Sequence, residues 1–361
     1  MSSDMASGVF SADEISGSEL IIVAGGRSAE HDVSLVSGAH LWSAAIEGGA
    51  RVTGIGISRA GVWHHIASDR RPQTGAPLVI DGPEIGVDAL VVAAQRGAVV
   101  VPALHGPLGE DGTFQGACEV AGVAYTGAGV LASALCMNKA VAKRFLAGAG
   151  IPQTPFVVVD SRDSIDTVRE RSQHLGFPLF VKPSSMGSSI GVSKVGDQNA
   201  LAAAVARAGA YDDCIVIEQA VIGREIEIAV LGRRDTMISR PGEIHVGAEF
   251  YDYNDKYTDD RATASVPADL PAAVAQRVHE LALEVTSVLG CREMARCDMF
   301  VTEDGAVLLN EVNTIPGFTP ISMYPKMLND VGVSTVKILN RLVADARARH
   351  AGSQQRSTAH G

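Results

Sequence analysis

The sequence lacks basic clusters and paired cysteines, and each absence excludes a class of protein. Its 361 residues carry a formal net charge of −11 and no block of Lys or Arg, whereas a nucleic-acid surface needs a basic stripe to neutralise phosphates. The five cysteines contain no C-x-x-C pair, which argues against a disulfide framework and a zinc site and fits a reducing cytoplasm. We therefore expect small-molecule chemistry and no nucleic-acid partner.

Long apolar runs and a charged leader are also missing. The run 89–94 stops at Gln95-Arg96, far short of the ~20 residues that a membrane helix needs. The first 19 residues carry four acidic side chains and no Lys or Arg, the opposite of a signal peptide. The sequence thus predicts a cytoplasmic protein with no membrane partner, and with 46% hydrophobic residues it can bury two or three cores.

Apolar patterning divides the chain into three regions and two loose ends. A buried strand from Glu19, the Gly25-Gly26 turn and a helix with Ser28 as N-cap form a βα unit. Strands at 51–58, 89–94 and 98–104 complete an open α/β domain, and one helical pattern covers 132–150. The predicted boundaries are a mobile extension at 1–18, an N-terminal α/β domain at 19–135, a central lobe at 136–232, a C-terminal lobe at 233–346 and a mobile tail at 347–361.

The segment 294–313, "MARCDMFVTEDGAVLLNEVN", has the pattern of a β-hairpin. Asp304-Gly305 is a strong two-residue turn signal, and it would place Glu303 opposite Ala306. Strand geometry then predicts two further pairs on one face of the hairpin: Asp298 with Glu311, and Arg296 with Asn313.

The predicted pairing of two carboxylates points to a bound cation. Like charges ~5 Å apart on a sheet face are destabilising, so Asp298 opposite Glu311 makes sense mainly if a cation lies between them. With Asn313 they offer three hard oxygen ligands, which suit Mg²⁺ completed by phosphate oxygens and water. The alternative is that one of them is a solvated surface residue, or that the register is slipped by one residue.

The stretch 181–191, "VKPSSMGSSIG", contains the pattern G-x-S-x-G, in which Ser189 would be the nucleophile of a serine hydrolase. A nucleophile elbow joins a strand to a helix, whereas strand-like residues stand on both sides here, so we expect a hairpin tip. A Gly/Ser loop between strands can hold phosphates with its backbone N–H groups, and Lys182 at its base is placed to meet one. An ordinary flexible turn is the alternative for the loop taken alone.

Eight ordered pieces of the chain resemble the D-alanine–D-alanine ligases of the ATP-grasp superfamily, over about residues 19–345. They are "GGRSAEHDVSLVSG", "HGPLGEDGTFQG", "YTGAGVLASALCMNK", "VKPSSMGSSIGVSKV", "IEQAVIGREIE", "EFYDYNDKYTDD", "ARCDMF" and "NEVNTIPGFTPISMYP". Each piece alone is a weak signal, but their number and order are jointly specific.

The resemblance implies both a fold and a reaction. The fold is a three-domain ATP-grasp architecture, in which an N-terminal open α/β substrate domain precedes two α+β lobes that enclose the nucleotide. In the reaction, the carboxylate of one D-alanine attacks the γ-phosphate of ATP, and the amine of a second D-alanine attacks the acyl phosphate. The resemblance also implies two Mg²⁺ ions, which Mn²⁺ could replace, a homodimer, and a role in peptidoglycan precursor synthesis and cell shape.

The resemblance implies roles for particular residues. Those that would contact ATP are Lys139, Lys182, Ser188, Ser189, the hinge Glu218, Gln219, Ala220 and Val221, and Glu225, Lys256 and Asn310. Those that would contact substrate are Glu30, His105, Arg296, Gly317 and Ser322, of which all but His105 are also assigned to catalysis, together with Ser188 and Tyr257. The implied metal ligands are Asp298, Glu311 and Asn313.

Three of these positions have ordinary alternatives. A Glu at a helix start, such as Glu30, commonly favours the helix dipole. His105 stands in a glycine-rich loop where a structural histidine is as common, and Glu225 fits a surface carboxylate on a strand. The polar segment 247–261 shows no periodic pattern and is expected to be a lid that orders over bound substrate.

Three function classes stay open on the residues alone: an ATP-dependent ligase, a serine hydrolase that uses Ser189, and an inactive nucleotide-binding scaffold. Within the ligase class the acceptor is also open. The lid sequence "YDYNDKY" resembles that of amine-using members rather than the His-containing lid of members that use D-lactate. D-serine-using relatives keep the same Lys-Tyr pair, so a ligase with another acceptor, in resistance or secondary metabolism, is the alternative.

Overall fold

The computed structural model describes residues 14–72, 75–245 and 263–355, and these form three β-sheets with helices packed on them. The strands of the first sheet are β1 (Glu19–Gly25), β2 (Arg51–Ile57), β3 (Trp63–Ile66), β4 (Glu84–Ile85), β5 (Val99–Pro102) and β6 (Ala124–Tyr125). Those of the second are β7 (Phe156–Asp160), β8 (Leu179–Pro183), β9 (Ser193–Val195) and β10 (Cys214–Gln219). Those of the third are β11 (Gly223–Gly232), β12 (Met237–Ile238), β13 (Gly242–His245), β14 (Thr263–Ser265), β15 (Glu293–Thr302) and β16 (Val307–Asn313).

The helices of the described ranges pack on these sheets and between them. They are α1 (His31–Glu47), α2 (Ala89–Gln95), α3 (Thr113–Ala121), α4 (Val130–Met137), α5 (Lys139–Gly148), α6 (Ile165–Ser172), α7 (Gln198–Gly209), α8 (Ala272–Leu289), α9 (Met323–Asp330) and α10 (Thr335–Gln354), with a short 3₁₀ helix at Gln173–Leu175. Within the described ranges, no helix combines the length and apolar character needed to cross a membrane.

The first sheet confirms the predicted open α/β domain. Its strand order is β4-β3-β2-β1-β5-β6, and β1 pairs in parallel with both β2 and β5. Strand β1 is buried along almost its whole length, which explains why its sequence is a continuous apolar run rather than an alternating one. The antiparallel strands β3 and β4 extend one edge, and the apolar pattern did not predict them.

The predicted strand at 89–94 is wrong, because this segment is helix α2. Leu90 and Ala93 are buried, whereas Val91 and Val92 are 43% and 42% exposed. This one-sided burial at a spacing of three residues is that of a helix lying on the sheet. An apolar run of six residues fits a buried strand or a short helix equally well, so its sequence could not separate the two.

Helix α1 begins later than predicted. Ser28 is not its N-cap, because Glu30 immediately precedes the first helical residue, His31. The Ser28 hydroxyl instead accepts the N–H of Glu30 at 3.1 Å and fixes the turn that leads into the helix. The correction places Glu30 itself at the start of α1.

The helical pattern at 132–150 is broken into α4 and α5 at Asn138. The backbone of Asn138 is extended, and its side-chain oxygen accepts the N–H of Val141 at 3.0 Å, which makes it the N-cap of α5. Lys139 is therefore the first residue of a new helix, α5.

The second and third sheets are antiparallel. The second has the order β7-β10-β8-β9, so the predicted hairpin of β8 and β9 around the serine-rich loop is confirmed. The third has the order β14-β13-β11-β15-β16, with β12 also paired to β11. Strand β11 pairs with β15 along its entire length, so the third sheet begins at Gly223, earlier than the predicted lobe boundary at residue 232.

Both ends of the described chain pack against the fold. Ile15 is fully buried, and its N–H donates to the Asn340 side chain at 3.0 Å. Arg349, near the end of α10, pairs with Glu293 and donates to the carbonyl oxygens of Tyr125 and Gly127. Residues 14–18 and 347–354, which the sequence assigned to mobile ends, therefore belong to the packed structure.

Candidate active site

Two adjoining cavities occupy the cleft between the three sheets. One has a volume of about 670 Å³ and is lined by the second and third sheets, and the other, of about 820 Å³, also reaches the first domain. Lys139, Ser188, Glu225, Asn310 and Glu311 line both cavities. Every predicted site residue in the described part of the chain lines at least one of them, while Lys256, Tyr257 and the lid lie outside the described residues.

The β15–β16 hairpin has the predicted register at the site but not at its tip. Asp298 lies opposite Glu311, and Arg296 opposite Asn313, as predicted. The turn, however, holds three residues, because Thr302 and Ala306 close it and Val301 pairs with Val307. By itself, this three-residue turn would shift the pairing of the two strands by one residue from the predicted register.

A β-bulge corrects this shift. The register changes between Asp298 and Met299, where Met299 pairs with Leu309 and Asn310 is the extra residue. Asn310 and Glu311 consequently both line the cleft. The predicted pairing of Asp298 with Glu311 was right, although the two-residue loop from which it was made was wrong.

Cationic side chains surround the two paired carboxylates. Arg296 donates to both oxygens of Asp298 at 2.7 Å, and its Nε also lies 3.2 Å from Glu227. The Lys139 ammonium lies 3.2 Å from Glu311. Arg296 and Lys139 therefore offset much of the repulsion that the pairing creates.

The donor atoms on this face fit a hard divalent cation. Asp298, Glu311 and Asn313 line the second cavity, and their carboxylate and amide oxygens are of the type that Mg²⁺ prefers. Asn313 contacts Asp298 through its amide nitrogen, at 2.9 Å, so its carbonyl oxygen is not used in that contact. Among the described residues, no three His, Cys, Asp or Glu side chains lie together as a metal site.

Lys182 and the predicted hinge line the smaller cavity. The Lys182 ammonium lies 2.6 Å from Glu218 Oε2, and that carboxylate also meets the Lys143 ammonium at 2.8 Å. Burial alone would raise the pKa of Glu218, but Lys182 and Lys143 more than offset this and hold it below its usual value. In the hinge, the N–H groups of Gln219 and Ala220 donate to the carbonyls of Pro155 and Pro178, which fixes the edge of the cavity.

The serine-rich loop lies between antiparallel strands and meets helix α1. Ser188 and Ser189 both have positive φ angles, 48° and 58°, and the Ser188 hydroxyl donates to the Glu30 carboxylate. A Cβ on Gly187 would lie 2.8 Å from Glu30 Oε2, so a larger residue here would displace the Glu30 carboxylate. The strand that follows the loop contradicts a nucleophile elbow at Ser189.

His105 is held in one tautomer at the back of the larger cavity. Its Nδ1 lies 3.0 Å from the Ile315 carbonyl oxygen, which can only accept, so Nδ1 carries the proton and Nε2 accepts from Ser37 at 3.1 Å. Burial lowers the pKa of His105, and the Glu30 charge only partly opposes this. The Ser37 oxygen also accepts the N–H of Phe318 at 3.2 Å.

Glu110 links the same two loops. Its carboxylate accepts the N–H of Gly106 at 2.7 Å and that of Ile315 at 3.2 Å. Burial, reinforced by the charge of Glu30, raises the pKa of Glu110 to about 8. Both backbone groups of Ile315 are thus tied to the first domain, two residues before Gly317.

Gly317 and Ser322 lie together at the other wall of the larger cavity. Ser322 precedes helix α9, and its hydroxyl contacts the N–H of Thr319 at 3.0 Å and the Thr319 hydroxyl at 2.7 Å. A Cβ on Gly317 would lie 2.8 Å from that hydroxyl. The cleft thus brings backbone donors, a guanidinium, paired carboxylates and lysines around one space, which suits a reaction that moves phosphate and acyl groups.

Comparison with known proteins decides the family. Residues 19–128 match the model described as the D-ala D-ala ligase N-terminus, and residues 145–344 match that of the D-ala D-ala ligase C-terminus. The chain belongs to the D-alanine–D-alanine ligase family. The D-alanine–D-alanine ligase A of Mesorhizobium japonicum is 45% identical over 347 residues, which cover 91% of this chain and 97% of that relative.

Solved structures agree with the family. The D-alanine–D-alanine ligase from Coxiella burnetii superimposes with a TM-score of 0.80 at 31% identity and covers 94% of this chain and 96% of its own. The VanG D-Ala:D-Ser ligase from Enterococcus faecalis superimposes with a TM-score of 0.76 at 32% identity. The match covers 91% of this chain and 99% of that ligase. The implied ATP-grasp fold is therefore confirmed, and the N-terminal domain with two sheet-rich lobes is that of the ligase family.

Sequence reasoning missed several residues of this ligase cleft. Lys143, Glu110, Ser37 and Glu227 all contact predicted site residues or the backbone beside them. Glu227 could have been found, because it stands two residues after Glu225 on β11 and shares its face. The other three make their contacts across long sequence separations, which no local pattern indicates.

Proposed function

We propose that this protein joins two D-alanine molecules to D-alanyl-D-alanine with ATP, through an acyl phosphate, for peptidoglycan precursor synthesis. The family and its curated relatives support this reaction. The observation that carries the proposal at the residue level is the hairpin register, which pairs Asp298, in the larger cavity, with Glu311, which lines both cavities. An inactive nucleotide-binding scaffold would not require two carboxylates directly opposite each other in the cleft.

The proposed nucleotide site is the smaller cavity. The hinge from Glu218 to Val221 would bind adenine, Glu225 the ribose hydroxyls, and Lys139 and Lys182 the phosphates, with Ser188, Ser189 and Asn310 close to them. Membership of the ligase family implies ATP and a divalent metal, which we propose to be two Mg²⁺ ions held by Asp298, Glu311 and Asn313. When bound, the metal neutralises the charge of the phosphoryl group during transfer.

The proposed substrate site is the larger cavity. Glu30 would hold the ammonium of the first D-alanine, with neutral His105 behind it, while Ser322 binds the carboxylate of the second. Arg296 and the N–H of Gly317 would stabilise the negative oxygen of the tetrahedral intermediate. Lys256 and Tyr257, outside the described residues, are proposed to close over the γ-phosphate and the Ser188 loop.

The acceptor could be another D-amino acid. The likeness to a D-Ala:D-Ser ligase is the observation that keeps this second candidate, but the curated relatives at 39% to 45% identity are named as D-alanine–D-alanine ligases and favour D-alanine. Competition between D-alanine, D-serine and D-lactate as acceptors, with product masses determined by mass spectrometry, separates the candidates.

We further propose a homodimer that acts in the cytoplasm, where ATP is available. Helices α3 and α4 contact each other, and each exposes a large apolar side chain, Val120 at 92% and Leu131 at 72%, which makes these helices the candidate interface. Light scattering after gel filtration should give twice the monomer mass, and Leu131→Asp should reduce it. A monomeric wild-type protein would contradict the proposal.

The reaction itself is tested by measuring phosphate and dipeptide in one mixture of enzyme, ATP, Mg²⁺ and D-alanine. We expect equal amounts of both products, and none without D-alanine. Phosphate release that does not depend on D-alanine would contradict the ligase. Hydrolysis of an ester substrate without ATP would instead support the serine hydrolase.

A further inference from the structure

A second lysine stands one helical turn after Lys139 and has no assigned role. Lys143 lies on the same face of α5, four residues later, and is only 3% exposed. Its ammonium lies 2.8 Å from Glu218 Oε1, while Lys182 lies 2.6 Å from Oε2. One buried carboxylate is therefore held between two ammonium groups.

The positions of the three side chains relative to the nucleotide cavity differ. Lys182 and Glu218 line that cavity, but Lys143 is not among the described residues that line it. Lys143 instead packs behind Glu218, with its ammonium 5.2 Å from the centre of the Phe156 ring. It cannot touch a nucleotide in this cavity without displacing Glu218.

The ammonium groups of Lys143 and Lys182 outnumber the single carboxylate of Glu218, so the cluster carries a net positive charge. Burial lowers the pKa of Lys143, whereas the Glu218 carboxylate opposes this. Because the local dielectric is low, removing one buried charge from this group strongly changes the electrostatic energy of the two charges that remain. Without Lys143, Glu218 and Lys182 would form a neutral pair, and the carboxylate would engage Lys182 alone.

We propose that Lys143 is a positioning residue for the triphosphate of ATP, since it neutralises Glu218 from behind and leaves the Lys182 ammonium available to a phosphate oxygen. This inference rests on the proposed function, in which Lys182 meets ATP. Lys143 contributes affinity for the charged part of the nucleotide and not for adenosine. A lysine that only stabilises the core would show no such selectivity.

The test compares the binding of ATP, ADP and adenosine by calorimetry to the full-length protein and its variants. Lys143→Met and Lys143→Gln should each raise the Kd of ATP and of ADP by about tenfold, the effect of a charge interaction of about 1.4 kcal/mol. The Kd of adenosine should stay unchanged. Lys143→Arg should recover most of the loss, because it restores the charge. Lys337→Met is the matched control, since Lys337 is exposed on α10 and donates to the Gly332 carbonyl far from the cleft.

The outcomes separate the inference from the proposed function. A folded neutral variant that binds ATP as the wild type does, or one that loses adenosine and ATP equally, would overturn the role of Lys143. Thermal unfolding identifies which of the two neutral variants is folded. Wild-type protein that binds ATP but releases no phosphate with D-alanine would refute the proposed function, while the comparison of variants would still decide the role of Lys143.

Discussion

At the scale of single residues, the buried hydroxyl of Ser37 connects two loops that reach the substrate cavity. It donates to Nε2 of His105 and accepts the N–H of Phe318, next to the proposed oxyanion donor Gly317. These contacts span 68 and 281 residues of sequence. For this reason the sequence identified His105 and Gly317 by resemblance but gave no sign of the serine between them.

Ser37→Ala should therefore impair the acyl half of the site. Removing the Ser37 hydroxyl leaves Nε2 of His105 and the N–H of Phe318 buried without this hydrogen-bond partner. We therefore expect the free energy of unfolding to fall by about 1–3 kcal/mol. The KM for D-alanine should rise, and the KM for ATP should stay constant. Ser43→Ala is the control, since this hydroxyl on the same helix donates only to the Ala39 carbonyl; equal effects of both variants would contradict the positioning role.

Glu110 makes stability depend on pH. The pKa of its carboxyl is raised from 4.5 to about 8 in the folded protein, so between these values the folded state holds a proton that the unfolded state has lost. This contribution to stability is complete below pH 4.5 and disappears as the pH rises through about 8. Burial raises the pKa of Glu293 to about 7, so this residue also makes the protein less stable as the pH rises.

Glu110→Gln should flatten that dependence. In urea unfolding, the change in the free energy of unfolding from about pH 5 to about pH 8 should be more negative for the wild type than for the variant, because only the wild type has the Glu110 contribution, while those of Glu293 and His105 are common to both. Identical slopes for both proteins would show that Glu110 is not protonated in the folded state at neutral pH.

At the scale of secondary-structure elements, the β15–β16 hairpin shows what a sequence can and cannot specify. Alternation and the Asp-Gly turn predicted the pairing of Asp298 with Glu311, but from a two-residue loop that the structure does not have. They did not reveal the three-residue turn or the bulge at Asn310, whose effects on the register cancel at Asp298. The same limit explains helix α2, whose apolar run became helical through its packing on the first sheet.

The serine-rich loop carries local strain. Ser189 has a φ of 58°, a conformation that costs a residue with a Cβ about 1 kcal/mol relative to glycine. Ser189→Gly should therefore stabilise the protein by about this amount, whereas Ser193→Gly in strand β9 should destabilise it by about 0.5–1 kcal/mol. Chemical denaturation of both variants checks this, and a destabilising Ser189→Gly would mean that its side-chain contacts outweigh the strain.

At the scale of the whole molecule, all three domains supply groups to the cleft in which we propose that the reaction takes place. Glu30 and His105 come from the first, Lys182 and the hinge from the second, and Asp298 and Glu311 from the third sheet. The resemblance named this set from motifs that lie in a fixed order along the chain, and its roles in the reaction stay predictions. The contacts that hold the domains in place, such as those of Arg349 and Glu110, join distant segments and become visible only in the folded structure.

The central claim is that the register of the β15–β16 hairpin builds the metal face of a ligase, and Glu311→Gln tests it most directly. The exposed Glu303 in the turn of the same hairpin provides the matched control, Glu303→Gln. In a titration with Mg²⁺, D-alanine-dependent phosphate release by Glu311→Gln should fall by at least about 100-fold, because a lost charge weakens the metal, while its thermal unfolding and the activity of the control stay normal. Near-normal turnover of Glu311→Gln at ordinary Mg²⁺ concentrations would contradict the account.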